Sequence, residues 1–247
     1  MSAIANNDES LSDQPNPNRV ADLLRNHLRR LQLSPTETLL LDGGTGEELF
    51  RRGVPDDRKI WSATAIVNEQ YHSVVEDVHR SFLKAGSQAI TTNSYGITPG
   101  VGFTDGEEVK RLVGIAGHIA RRAVTTSSSS APSALVLGSL GPLVESYRPD
   151  LIMNHPDGVV AYQFAVHGLY PHIDVYLAET MSCVEEACQA VDAISIFYRG
   201  LHDHDPKHPL LVSFTLNQDG NLRDGEAIIE AIPKVTEYAY RKKVNRK

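Results

Sequence analysis

Cysteine is nearly absent: the 247 residues contain two, Cys183 and Cys188, too few for a disulfide scaffold and too close together to close a useful loop. Five positions apart on a helix they would stand about 140° from one another, a poor arrangement for sharing a metal. They read as small buried apolar side chains that say nothing of an oxidising compartment. Long apolar runs are missing too, and nothing approaches the roughly 20 residues needed to span a bilayer. The start carries Asp8, Glu9 and Asp13, where a secretory signal would have a basic segment followed by an apolar one. Arg25, Arg29 and Arg30 lie on a leucine-rich stretch, but the acidic start argues against an organelle peptide, so a cytoplasmic protein with no membrane partner is expected. Basic excess is also lacking: with a net charge of -7 there is no field to attract nucleic acid. The glycine-rich turn Asp42-Gly43-Gly44-Thr45-Gly46 has neither the Lys-Ser/Thr of a phosphate loop nor the spacing of a dinucleotide fingerprint. Nucleotide binding is not expected.

What is present suits one sizeable domain: hydrophobic residues make up 41% and charged residues 22%, and a chain of this length is ordinary for a single α/β barrel. Residues 1–17 are polar with no apolar period and read as a disordered arm. The domain then covers 18–247. It begins with an amphipathic helix at about 18–32, where Leu23, Leu24, Leu28 and Leu31 recur at helical spacing.

From Thr38 onward, short apolar runs alternate with long helical patterns, the signature of parallel βαβ construction. Strands are expected at Thr38 to Leu41, Ala89 to Thr92, Ala134 to Leu137, Val175 to Ala178 and Leu210 to Phe214. Helices are expected through Val74 to Leu83, from Glu107 to Val124, from near Asp157, from about Cys183 to Phe197, and from about Asp224 to Lys242. The polar run Thr125 to Ser130 with Pro132 reads as a connector. The fold class is therefore α/β of the (β/α)8 TIM-barrel type, incomplete, with about five of eight βα units present. A doubly wound open sheet is the alternative.

In both architectures ligands bind at the carboxyl ends of the strands, and all five ends carry small or polar residues. Asp42 and Glu179 supply carboxylates suited to gripping an ammonium group. Gly43 and Gly44 let a ligand approach the backbone, and Thr92, Asn93, Ser139 and Thr215 offer neutral hydrogen bonds. The set suits a small zwitterion, although taken singly each position is also ordinary turn or capping chemistry.

In this order the segments Leu41-Asp42-Gly43-Gly44-Thr45-Gly46, Trp61-Ser62-Ala63, Lys84-Ala85-Gly86, Thr91-Thr92-Asn93-Ser94-Tyr95, Gly138-Ser139-Leu140-Gly141-Pro142, Ala178-Glu179-Thr180-Met181 and Val212-Ser213-Phe214-Thr215 with Asp224-Gly225 resemble the homocysteine S-methyltransferases. That family includes betaine-, S-methylmethionine- and cobalamin-dependent enzymes, and the resemblance covers about Leu39 to Ile232. It implies a (β/α)8 barrel that binds homocysteine and a methyl donor and methylates the sulfur to give methionine. Asp42 and Glu179 match positions that hold the amino group. It also implies zinc, held by three cysteines, to generate the thiolate that a free thiol of pKa near about 8.5 supplies poorly at neutral pH. Those cysteines belong to a Gly-x-Asn-Cys segment after the sixth strand and a Gly-Gly-Cys-Cys pair near the barrel's end. Neither motif occurs in this sequence, and no catalytic residue or metal ligand is assigned.

The expectation is a homocysteine S-methyltransferase-like chain, truncated relative to the family, as an incomplete gene product or a remnant without full activity. A non-catalytic amino-acid-binding or interaction module, self-associating through open sheet edges, is the rival. A different barrel enzyme using Asp42 and Glu179 as acid and base is a third reading. His202-Asp203-His204-Asp205-Pro206-Lys207-His208 precedes the fifth strand and so reads as a solvated loop on the face opposite the pocket. His72 and His79 read as surface or packing residues, and the basic end from Arg241 as a helix terminus with a solvated tail.

Overall fold

A computed structural model of the chain describes residues 38–127, 134–202, 205 and 207–244. The expected arm, the helix at 18–32 and part of the polar connector lie outside the described residues. Among the described residues four parallel strands form one sheet in sequential order: β1 (Ala89–Thr91), β2 (Leu135–Leu140), β3 (Val175–Met181) and β4 (Leu210–Phe214). Seven α-helices accompany them among the same residues: α1 (Thr45–Arg51), α2 (Thr64–Val67), α3 (His72–Lys84), α4 (Gly106–Thr126), α5 (His155–Leu169), α6 (Val184–Arg199) and α7 (Ile228–Arg241).

Two of the helices start where side chains satisfy their first N–H groups. The Asp105 carboxylate accepts from Glu107 N and Glu108 N at the head of α4, and Asn154 accepts from Asp157 N at the head of α5, where Pro156 lacks the donor that would otherwise go unmet. Helices α3 to α6 each bury one face against the outside of the sheet. Val75 and Val78 of α3, Leu112, Val113, Ala116 and Ile119 of α4, and Val166 and Leu169 of α5 join Ile90, Val136, Leu140 and Tyr176 in the main core. The opposite face of the sheet carries a second, smaller cluster of Ala89, Leu135, Leu137 and Val175 with Leu177 and Leu211. Two apolar faces explain why these strands read as continuous apolar runs rather than as alternating ones.

The amino ends of the strands are tied for stability. Asp174, just before β3, accepts from Val136 N at 2.7 Å and pairs with Arg121 at 2.8 Å, while Arg121 Nε donates to His172 O. Three expectations change here. Thr38 to Leu41 is not a strand: it runs beside β1, but side chains intercept the ladder. Gln88 N donates to Leu40 O, yet Leu40 N donates to the Gln88 amide oxygen, and Thr91 N turns to the Asp42 carboxylate. Of the loop before β4, Asp203, His204 and Pro206 lie outside the described residues, but His208 is not solvated. It is buried, within 3.2 Å of Tyr170 O through Nε2 and stacked near Tyr170 and Tyr176. The basic end is likewise partly engaged, because Lys242 pairs with Asp192 at 2.7 Å.

Candidate functional site

Side chains alternate across a strand, so the inner-face positions Ala89, Leu135 with Leu137, and Val175 with Leu177 put Thr91, Ser139 and Glu179 one pleat further along, on the same face, at the carboxyl ends of β1, β2 and β3. Asp42 joins them from the segment beside β1. Thr91 fixes it with two bonds, backbone N to Oδ2 at 2.7 Å and Oγ1 to Oδ1 at 3.0 Å. Ser139, 2% exposed, donates its hydroxyl to Glu179 Oε1. Burial raises the pKa of Asp42 against the lowering effect of the Thr91 bonds. Burial also raises that of Glu179, the Ser139 bond opposing it and the charge of Asp42 adding to it. Two carboxylates that feel one another in a partly dry site leave a place where positive charge is favoured.

The other predicted residues divide by role. Gly43 packs against Phe82, since a Cβ there would lie 2.8 Å from Phe82 Cε1 and the ring would have to shift. Gly44 caps α1, and both glycines are exposed at the rim beside Asp42. Thr92 and Asn93 are buried and occupied: Thr92 Oγ1 accepts from Ser139 N and bonds Ser94 Oγ, and Asn93 Nδ2 donates to Ser62 O. They hold the loop that carries the site. Thr215 N donates to Met181 O at 2.9 Å, which fastens the end of β4 to the end of β3.

Some participants were not singled out from sequence. Thr91 orients Asp42, and its place two residues after Ala89 was a usable signal. Thr180 carries φ +64 in the irregular step between Ala178 and Met181 where β3 slips against β4. A β-branched residue in that region costs about 1–3 kcal/mol, and a bulge there re-aims the strand end that bears Glu179. No sequence pattern announces it. Tyr95 bonds Ser146 Oγ at 2.6 Å, and it sits so close to Gly141 that a Cβ there would lie 2.7 Å from Tyr95 O. On the far side of the rim, Arg223 donates its N–H to Ser182 O and lies 5.0 Å over the Tyr147 ring.

The family model for homocysteine S-methyltransferase matches residues 39–241. Among characterised proteins the chain is similar to the homocysteine S-methyltransferase of Escherichia coli (strain K12), 29% identical over 230 residues, 87% of this chain and 70% of that protein. It is also similar to homocysteine S-methyltransferase 1 of Saccharomyces cerevisiae, 25% identical over 53% of this chain and 43% of that one. Among solved structures it superposes on the homocysteine methyltransferase MmuM from Escherichia coli. The metallated form gives a TM-score of 0.71 at 25% identity, covering 86% of this chain and 74% of that one, and the oxidised form 0.72 at 27%.

The metallated relative raises the question of a metal here. Among the described residues no group of three or more His, Cys, Asp or Glu is placed to hold one. Cys183 and Cys188 are both buried, and burial pushes their thiols up to about 11 and about 12, the reverse of what a zinc thiolate needs. These residues do not fit a zinc centre. The family match, the relatives and the shared parallel architecture agree, and the chain belongs to the homocysteine S-methyltransferase family, whose function is methyl transfer to homocysteine.

Proposed function

We propose that this chain binds homocysteine with its amino group between Asp42 and Glu179, and that the site serves methyl transfer to the homocysteine sulfur. The convergence of two carboxylates, both held above their ordinary pKa by burial and one raised further by the other, carries the reading. An ammonium placed there restores both to the charged form and gains two charge-assisted hydrogen bonds. Thr91 and Ser139 hold the two carboxylates in place, so little ordering remains to be done on binding. Gly43 and Gly44 leave backbone open to the substrate carboxylate. Thr92, Asn93 and Thr215 shape the pocket from behind.

Zinc in the family would supply the thiolate, and no step is assigned to it in this chain. Residues 18–247 act as one domain behind the arm 1–17. The partners are the small-molecule substrates, homocysteine and a methyl donor, in the cytoplasm, and not nucleic acid or membrane. A net charge of -7 gives no field to attract nucleic acid or an anionic membrane surface. The test is to give the protein L-homocysteine with a sulfonium or a quaternary ammonium methyl donor and to quantify methionine. Methionine above the protein-free rate supports the transferase, bound homocysteine without methionine supports a binding module, and no homocysteine binding refutes the reading.

One observation favours a second reading, an interaction module that self-associates. Along α7 the residues Ala231, Val235 and Ala239 are buried, while a parallel ridge through Ile228, Ile232, Thr236 and Tyr240 lines an apolar cleft of about 630 Å³ against β4. Ile229 is 76% exposed. Sedimentation of the protein with and without Ile232→Glu decides it, a loss of dimer in the variant supporting association through this cleft and monomers in both refuting it.

A further inference from the structure

We propose that the cleft between α4 and α5 is a second small-molecule site, for an uncharged, largely apolar ligand of one or two rings carrying one hydrogen-bonding group. The cavity measures about 350 Å³ and is walled by Phe103, Val109, Val113, Met153, Ala161 and Phe164. Asp42 and Glu179 do not line it, so it is not the carboxylate pocket. It lies behind that pocket, on the helix-covered side of the sheet.

Three features point to a ligand. The first is size, since a cavity of about 150 Å³ takes benzene and small-molecule sites begin near about 300 Å³. The second is composition. Apolar walls left empty lose the dispersion contacts that a packed interior makes, and they give water too few partners to hold it. The third is Thr98, which lines the cavity and is 5% exposed. Its carbonyl is taken by Val101 N and Phe103 N, which leaves the hydroxyl as the group of Thr98 that can answer a ligand. A hydroxyl on a residue that walls an apolar cavity is a ready partner for one polar group of a ligand. Among the described residues no charged side chain lines the cavity except Asp157, which is exposed, so the ligand carries no anionic group.

The two sites share a wall. Ser94 and Ser139 line the cavity, and Ser94 Oγ donates to Ser139 O at 2.9 Å while the Ser139 hydroxyl holds Glu179. Occupancy of the cavity therefore stiffens the strand end that positions Glu179. The binding itself does not depend on the function assigned to that pocket.

Indole, and its analogue indene without the N–H, are the probes, titrated into the full chain by calorimetry and by methyl-detected NMR. Indole is expected to bind one per chain, saturably below about 1 mM, and about three- to tenfold tighter than indene through its hydrogen bond to Thr98. Thr98→Val should abolish that preference, and Ala161→Phe, which fills the cavity, should weaken both probes at least tenfold. Should Ala161→Phe fail to fold, the methyl groups of Val109, Val113 and Met153 in the unaltered protein decide. Indole-induced shifts confined to them support the site, and shifts elsewhere overturn it. Absence of saturable binding, or binding unchanged in a folded Ala161→Phe, also overturns it.

Discussion

Replacing Glu179 by Gln removes a charge that burial and Asp42 both disfavour, while the amide oxygen still accepts from Ser139. A carboxyl whose folded pKa lies above its unfolded one contributes stability below the unfolded pKa and loses it as pH rises through the folded one. At about pH 7 the ionised Glu179 is therefore a cost to the free protein. The variant should be more stable there by about 1 kcal/mol, or about 2–4 °C in Tm for a chain of this size. The gain should fade as pH falls to about 4, where the carboxyl is neutral in both states. Because each carboxylate repels the other, the gains from Glu179→Gln and Asp42→Asn should not add. Homocysteine should bind more weakly by about 2–5 kcal/mol, or roughly 30-fold to several thousand-fold. Thermal melts across pH, with calorimetric titration of L-homocysteine, read both effects. A Glu179→Gln protein less stable at pH 7, or one whose gain does not change with pH, would refute the reasoning, since Glu179 would then be a carboxylate that its surroundings stabilise.

Three further outcomes follow from the packing. His79 is fully buried, neither ring nitrogen has a hydrogen-bond partner among the described residues, and burial pushes its pKa down to about 4. Stability should thus fall by up to about 3 kcal/mol as pH drops from about 6.5 towards 4, and acid titration of His79→Leu should show a shallower loss. Asp192 joins three helices, meeting His155 Nε2 at 3.0 Å, the Tyr238 hydroxyl at 2.8 Å and Lys242 Nζ at 2.7 Å. Denaturant unfolding of Asp192→Ala should show a loss of about 1–3 kcal/mol, with no change in homocysteine affinity in the folded fraction. Gly43→Ala drives a methyl group against Phe82 and should cost about 1–3 kcal/mol in the same assay, with weaker homocysteine binding because Asp42 shifts with its neighbour.

The strands that were legible in sequence are those that carry apolar side chains on both faces. Leu210–Phe214 forms at the expected bounds, and Val175–Met181 and Leu135–Leu140 run past theirs because polar Glu179 and Ser139 end the apolar run before the ladder ends. Thr38 to Leu41 has the same composition yet pairs through side chains, and an apolar pattern cannot tell a backbone partner from the amide of Gln88. In the site, residue types chosen for their chemistry pointed to Asp42, to Glu179 and to the Ser139 that holds Glu179, but not to Thr91, which orients Asp42. Thr91 could have been found from the two-residue period. The positive φ of Thr180 and the seating of Tyr95 against Gly141 depend on contacts between distant segments and leave no local trace. Of the histidine-rich loop, His202 and Lys207 are exposed as composition suggested, whereas His208 is packed among tyrosines just before β4.

The central claim is that Asp42 and Glu179 exist to hold an amino group. Calorimetric titration of the protein with L-homocysteine and with 4-mercaptobutyrate, which keeps the thiol and the carboxylate but lacks the amine, tests it most directly. The account predicts saturable binding of homocysteine and at least a 30-fold weaker response to the desamino compound. Equal binding of the two would contradict it.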